Sequence, residues 1–483
     1  MRSRHSASSP SGSLFRGLGA WDAAAIAVAG MTPTMAMNLN PQQPVEQVGP
    51  IVPAVFAGCL FLVLMVAWCF ARLAGEHPNA GSAYGFVAAV IGPRAGFVAG
   101  WALLGTYLSF ASVGVGAVAL FGANLESRLG LPCQHSPLTL VLGAVVVTAV
   151  LSLGRVRRAS LILITLEGIA VLCMVALAVA VIVKVRCGGS LATPSLPLKS
   201  LLIPAQGVGA ISVVLALSYA FVSFGGFEEA ATLGEEVRRP VTTIPRILYG
   251  SVIGIGLVFT LVTAAEILGF GMQRMGIAGI ANSTSLLADL STLYFGGWCG
   301  VLFDILAIVS ALGGALAPVI AASRILYALS RDLLPLASLG SVSGRSGIPR
   351  TAVLVVVLTV LAGHLAMSFL FGASGSDAFF WTTVLGVLSL LFVYLLIVVS
   401  AAVSLERSQE SGKIWKLLIP SLAGLSILYT LWVNLQDPMP GAYRILPWIV
   451  LVWCLVPVAL LLLWPNLAVR IRTGFLGSAL QGK

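Results

Sequence analysis

Charge is scarce in this sequence. Asp, Glu, Lys and Arg make up 9% of its 483 residues, against roughly a quarter in a typical soluble domain. That scarcity excludes a water-soluble fold, because most of the surface has to face something less polar than water. Other signals are missing too. No Gly-x-x-x-x-Gly-Lys phosphate loop is present, so ATP-driven pumping has no support. The four histidines, His5, His77, His135 and His364, are scattered, and no His/Cys cluster has metal-ligand spacing. Nothing implies enzyme chemistry, a metal or another cofactor. The formal net charge of +10 would point to nucleic acid in a soluble chain; here it needs another explanation.

What the sequence has in abundance is apolar length. Apolar residues are 58% of the chain, and the mean hydropathy is +1.02. They fall in runs such as 51–70, 138–153, 161–183, 247–268, 352–371 and 449–464. Each is near the roughly 20 residues a helix needs to cross the hydrocarbon core, whereas a β-barrel alternates in polarity over segments of about 10. The pattern predicts an all-α polytopic membrane protein, embedded in a lipid bilayer, with twelve transmembrane helices. They lie at about 17–37, 48–72, 96–121, 137–154, 160–183, 205–230, 245–269, 298–327, 351–372, 379–404, 417–435 and 445–465.

The basic residues orient this arrangement. With the N-terminus inside, the clusters at 2–16, 155–158, 238–246, 324–350, 407–416 and 470–483 fall on the cytoplasmic side, with Arg72 and Arg94. Only Arg128, Lys184, Arg186, Lys199, Arg274 and Arg444 fall outside. This positive-inside bias accounts for the net charge and predicts both termini in the cytoplasm of a cell (inner) membrane protein. Residues 1–14 and 466–483 read as polar tails, and no cleavage site follows a short apolar stretch, so no signal peptide is expected. Cys59, Cys69, Cys173, Cys299 and Cys454 lie in spans, where free cysteine acts as a small hydrophobe. Cys133 and Cys187 fall in predicted outer loops, and a disulfide between them is left open.

Two spans are interrupted. The first contains Gly30-Met31-Thr32-Pro33-Thr34 near its middle, and the sixth contains Ser223-Phe224-Gly225-Gly226-Phe227-Glu228. Proline removes a backbone N–H and clashes with the preceding turn, paired glycines weaken a helix, and threonine can satisfy freed carbonyls. Non-helical backbone at membrane depth is tolerated only where protein covers it or it lines a wet cavity. Span one begins a unit of five helices and span six begins the next, which therefore runs upside down. Matched breaks in two inverted halves point to a solute site at the midplane. A half-helix after the first break should present unpaired N–H groups to a carboxylate. Unwound carbonyls of span six suit an ammonium. Phe221, Phe224 and Phe227 offer aromatic surface for a side chain or a gate, or simply pack between helices.

Three stretches resemble the amino acid–polyamine–organocation superfamily. They are 71–84 (ARLAGEHPNAGSAY) through 91–101 (IGPRAGFVAGW), then 223–240 (SFGGFEEAATLGEEVRRP) with Ile244-Pro245, then 322–335 (ASRILYALSRDLLP) with Ile348-Pro349. The resemblance covers roughly residues 15–465 as a single transporter domain. It implies a five-plus-five inverted repeat, leucine-transporter-like, with discontinuous helices 1 and 6. The repeats would be about 15–190 and 200–404, with extra helices at 417–465. It also implies alternating access for an amino acid or related amine, with proton or sodium coupling or exchange. Carried across, the carboxylate-binding stretch is Gly30 to Thr34 and the amine-binding and gating stretch is Phe221 to Gly226. The chain departs from the family at Glu167, where several members carry a lysine on the fifth helix. A carboxylate cannot stand in for a cation, though it can bind one or carry a proton, so the driving ion stays open. A polyamine or dicarboxylic amino-acid exchanger and a non-transporting sensor are the alternatives.

Ionisable residues inside spans are costly and are functional candidates by default. Glu228 adjoins the second break and reads as a proton carrier or as a cap for freed N–H groups. Glu167 reads as a coupling group or as an interhelical hydrogen-bond partner. Asp304 and Glu266 are expected to snorkel near the outer face. Arg324, Arg331, Arg238 and Arg239 with Glu235 and Glu236 read as inner-gate ion pairs or, more ordinarily, as positive-inside charges on solvated loops.

Overall fold

The structure, a computed structural model, describes residues 20–77, 83–131, 135–154, 156–187, 201–202, 204, 207–232, 237, 239–332, 349–409, 412–436 and 441–464. The polar tails, Cys133 and its pairing, Glu235, Glu236 and Arg238 lie outside the described residues. The chain runs through α1 (Ala20–Gly30), α2 (Pro33–Leu39), α3 (Gln42–Val48), α4 (Val52–Glu76), α5 (Ala83–Val90) and α6 (Pro93–Arg128). It continues through α7 (Pro137–Leu153), α8 (Val156–Arg186), α9 (Ala210–Val222), α10 (Glu229–Thr232), α11 (Pro240–Phe270) and α12 (Arg274–Ala281). The last third comprises α13 (Leu286–Phe295), α14 (Gly297–Asp332), α15 (Arg350–Phe371), α16 (Gly375–Arg407), α17 (Lys413–Gln436) and α18 (Leu446–Leu463). No β-strand appears among the described residues.

Nine of these helical segments are long and apolar enough to cross a membrane: Gln42–Glu76, Pro93–Arg128, Leu161–Arg186, Pro240–Phe270, Gly297–Tyr327, Arg350–Phe371, Gly375–Arg407, Ile414–Gln436 and Leu446–Leu463. Each overlaps one predicted span. The predicted first, fourth and sixth spans fall on the shorter apolar helices Ala24–Leu39, Pro137–Leu153 and Ala210–Val222. Spans one and six are short for the reason the sequence suggested: each helix stops at its interruption. Helix starts follow local chemistry. Ser136 caps α7 by accepting from the Thr139 N–H, with Pro137 in the first turn. Ser374 and Asp377 form a reciprocal capping box at the start of α16.

Helices α6 and α16 are the two most enclosed spans, and both pack on α14 or α4 in the interior. The peripheral helices α8, α15, α17 and α18 instead leave Leu172, Phe369, Leu425 and Leu462 exposed. A soluble monomer rarely exposes so much contiguous apolar surface; lipid is the solvent that suits it.

Two expectations about charge are overturned. Asp304 and Glu266 do not snorkel: both are fully buried. Asp304 lies on the inward face of α14, where Arg128 of α6 reaches it (Nε to Oδ2, 2.6 Å). Glu266 is enclosed on α11, and neither of its carboxylate oxygens has a hydrogen-bond partner among the described residues. Hydropathy alone cannot tell the lipid face of a helix from its inward face, and both carboxylates face inward.

Candidate functional site

The first break is a tight bend. Helix α1 ends at Gly30, the Met31 and Thr32 N–H groups bond back to Val28 and Ala29 carbonyls, and Thr32 adopts a left-handed conformation (φ 42°, ψ 58°). A β-branched residue there is strained. Pro33 then starts α2, as its fixed φ and missing N–H favour. The second break is the six-residue stretch 223–228 between α9 and α10. Gly226 has φ 105°.

The two breaks touch. A Cβ on Gly226 would sit 2.4 Å from the Gly30 carbonyl oxygen, and one on Gly30 would sit 3.1 Å from the Gly226 carbonyl oxygen and 2.8 Å from Glu229 Oε2. Only glycine at both positions lets the backbones meet. Asn40, just past α2, adds a cross-link by donating to the Ser223 hydroxyl at 2.8 Å.

A small cavity opens beside this contact. Gly30, Met31 and Thr32 line it from the first break; Gly225, Gly226 and Glu228 line it from the second. Glu229, Asn40, Tyr107 and Phe110 add to the wall, and Gly314 and Pro318 of α14 close another side. No lysine, arginine or histidine lines it among the described residues. The α6 and α14 contributors carried no local signal in the sequence; only the fold brings Tyr107, Phe110, Gly314 and Pro318 here.

The other sequence candidates lie around the cavity. Phe224 is fully buried and edge-on to Phe259, with centroids 5.3 Å apart. Phe227 packs on Phe70 and Tyr394, each at 5.7 Å. Phe221 leans on Tyr394 at 5.9 Å and lines a separate apolar cavity with Leu62, Leu217 and Ile427. Ser223 serves Asn40. Pro33 and Thr34 belong to the first turn of α2.

Two carboxylates, Glu228 and Glu229, line the cavity, and Glu167 lies outside its lining. Glu228 Oε2 accepts from the Gly226 N–H at 3.0 Å and from the Tyr394 hydroxyl at 2.7 Å, so it caps the unwound segment. Its Oε1 is buried with no partner among the described residues. Glu167 reaches across from α8 and accepts the Thr34 N–H at 3.0 Å. The Met35 N–H goes to the Ser310 hydroxyl of α14 at 3.1 Å, and the Ala36 N–H to the Thr32 carbonyl. The expectation of unpaired N–H groups at the start of this half-helix is therefore not met. Pro33 has no N–H, and the next three are already bonded.

A second polar cluster lies at the far end of α2. The Ser285 hydroxyl sits between Asn38 Oδ1 (3.1 Å) and Asp304 Oδ1 (2.7 Å), and Asn38 Oδ1 also accepts the Leu287 N–H at 3.0 Å. Arg128 bonds Asp304, Asp289 and the Thr292 hydroxyl. The intervening helices α12 and α13 were not anticipated from the sequence, because eight- and ten-residue segments fall below a span-length pattern.

The family model described as amino acid permease matches residues 22–436. Among curated proteins, the chain is similar to the branched-chain amino acid permease of Lactococcus lactis subsp. cremoris, with 27% identity covering 76% of this chain and 80% of that protein. It is 31% identical to an uncharacterized transporter of Mycobacterium bovis over 68% of this chain and 71% of that one. It is 22% identical to the low-affinity putrescine importer of Escherichia coli over 80% and 81% of the two chains. These relatives are transporters rather than enzymes.

Proposed function

Because this chain belongs to the amino acid permease family of integral membrane proteins, we propose that it is a secondary active transporter for an amino acid or related amine. The observation that carries this reading is the meeting of two broken helices, backbone to backbone, beside a cavity inside the bundle. Broken helices at a midplane cavity are how transporters of this architecture hold a solute. The relatives' printed solutes, branched-chain amino acids and putrescine, support the same range.

The nine long helices and the three shorter ones at the predicted first, fourth and sixth spans support twelve crossings. In this arrangement two inverted units of five helices form one transporter domain, followed by two extra helices. The basic clusters favour cytoplasmic termini and a plasma-membrane location. The solute site comprises Gly30, Met31, Thr32, Gly225 and Gly226. Phe221, Ser223, Phe224 and Phe227 support the second break, and Pro33 and Thr34 the first. Glu228 is the first candidate for proton coupling and Glu167 the second.

Uptake by purified protein in liposomes, with a panel of amino acids and amines under an imposed proton gradient, tests this reading. Accumulation of one chemical class is expected. In Glu228→Gln the dependence of uptake on the gradient should flatten, whereas an unchanged dependence would leave Glu228 only its capping role. Binding without accumulation would favour a sensor.

A further inference from the structure

Resting on the transport reading above, we propose that Glu266 is a proton-binding site of the transport cycle, separate from the cavity and reached from the outer side when α13 moves off α11. Other carboxylates inside the bundle have visible bonds. Glu167 holds the Thr34 N–H, Glu228 holds the Gly226 N–H and the Tyr394 hydroxyl, and Asp304 is bonded to Arg128 and Ser285. Glu266 is 1% exposed, and both of its oxygens are buried without a partner among the described residues. An apolar side chain of the same shape would pack there at no loss, so packing does not account for a carboxyl. An ionisable residue inside a span is then a functional candidate.

No counter-charge accounts for it either. The helices packed on α11 include α1, α2, α4, α8, α10, α12 and α13. On α8, Glu167 is bonded to Thr34, Lys184 to the Tyr294 carbonyl, Cys173 is a free thiol and Arg186 is exposed at the helix end. On α4, Arg72 pairs with Glu76, and Cys59 and Cys69 are buried thiols. On α13, Asp289 pairs with Arg128 and the Tyr294 hydroxyl donates to the Gly269 carbonyl. Glu229 of α10 has the same sign, and Arg246 and Tyr249 of α11 itself lie more than four turns away. None of these bonds to Glu266. An anion there would stand uncompensated in an apolar interior, so the enclosed side chain is the uncharged acid and holds a proton.

The place of Glu266 in the fold gives that proton a route and a consequence. In the orientation proposed above, Glu266 lies about one turn from the outer end of α11, and α13 covers the turn beyond it. A Cβ on Gly269 would sit 2.5 Å from Leu290 Cδ1 and 3.4 Å from the Tyr294 ring, and the Tyr294 hydroxyl bonds the Gly269 carbonyl at 3.0 Å. Helices α12 and α13 are bounded by Gly271 and Gly296, with φ of 94° and 92°, where only glycine sits without strain. These are natural hinges for lifting α13. With α13 away, water delivers a proton to one Glu266 oxygen; closure encloses the neutral acid, and reopening returns the proton to water. Two turns inward on the same face of α11, Phe259 packs edge-on against Phe224 of the second break, with centroids 5.3 Å apart. One helix face therefore joins this carboxyl to the solute site.

The test uses full-length protein in liposomes. Infrared spectra at neutral pH should show an acid C=O band that disappears in Glu266→Gln. That variant should keep solute counterflow within about twofold of the parent, while accumulation driven by an imposed proton gradient falls at least fivefold. Tyr294→Phe, which frees the Gly269 carbonyl, should speed loss of the acid band on transfer to alkaline buffer at least threefold; an unchanged rate would remove α13 from the route. If Glu266→Gln does not fold, Glu266→Asp decides: it keeps an acid and should accumulate solute with a displaced pH profile, and an unchanged profile would overturn the proposal. Gradient-driven accumulation that survives in Glu266→Gln, or an acid band that does so, overturns it as well. Parent uptake that ignores the proton gradient would sink the proton site and leave the transport reading intact. A parent that moves no solute at all would sink both.

Discussion

Two places in this protein bury carboxylates, and they do so in opposite ways. At the Arg128 cluster, Asp304 is fully enclosed but one guanidinium serves it, Asp289 and Thr292 together, and Ser285 takes the remaining Asp304 oxygen. At the cavity, Glu228 is equally enclosed, yet one of its oxygens has no donor and no basic side chain shares the wall among the described residues. The first arrangement is complete and makes structure. The second leaves an acceptor open on a residue that lines a cavity.

Breaking the complete cluster should have the largest effect. Arg128→Ala leaves Asp304 buried without its cation, and removing one partner of a buried pair destabilises by about 3–5 kcal/mol. Thermal unfolding in detergent should show a large drop in midpoint, and a midpoint within a degree or two of the parent would remove the cluster's structural role.

Closing the gap between the breaks comes next. Gly226→Ala places a methyl 2.4 Å from the Gly30 carbonyl oxygen at φ 105°, where strain alone costs about 1–3 kcal/mol. Uptake should be lost along with some stability, whereas Gly58→Ala on α4, with only Leu217 Cδ2 at 3.9 Å, should stay within about 0.5 kcal/mol. Gly225, whose Cβ would meet the Phe110 ring at 3.1 Å, is the better position for a folded variant that cannot bind. Gly225→Leu that binds solute with full affinity would move the site elsewhere.

Smaller effects test the incomplete side. Tyr394→Phe takes one of two donors from Glu228 Oε2, a loss of about 1–3 kcal/mol, and should slow uptake as well as lower the unfolding midpoint. Ser223→Ala takes the acceptor from Asn40 Nδ2, leaving the two breaks less firmly joined; roughly 1 kcal/mol is expected. If Ser223→Ala proved more damaging to stability than Arg128→Ala, the contrast between the two regions would be reversed.

The membrane class, the nine long helices and the two interruptions were legible in the sequence because they are written in local composition. Gly30, Thr32, Pro33 and Gly226 announce a break by residue type alone. What the sequence could not reveal is which groups face which. Glu167 was visible as a charge in a span, but only the packing of α8 on α2 shows its carboxylate at the Thr34 amide. That contact turned an expected vacancy into an occupied position. Asp304 looked like an interfacial charge because its partner, Arg128, is 176 residues away. Tyr107 and Gly314 looked like ordinary span residues, since pocket walls made from the flanks of intact helices carry no motif.

The bend at Thr32 has a mechanical consequence. Its left-handed backbone stores on the order of 1–3 kcal/mol, held in place by the Glu167 and Ser310 contacts just beyond it. The joint behaves as a loaded spring with two catches. Strain of that size equals a roughly 5- to 150-fold bias in a two-state equilibrium, so drawing Glu167 away from Thr34 should let this bend relax before the intact helices around it.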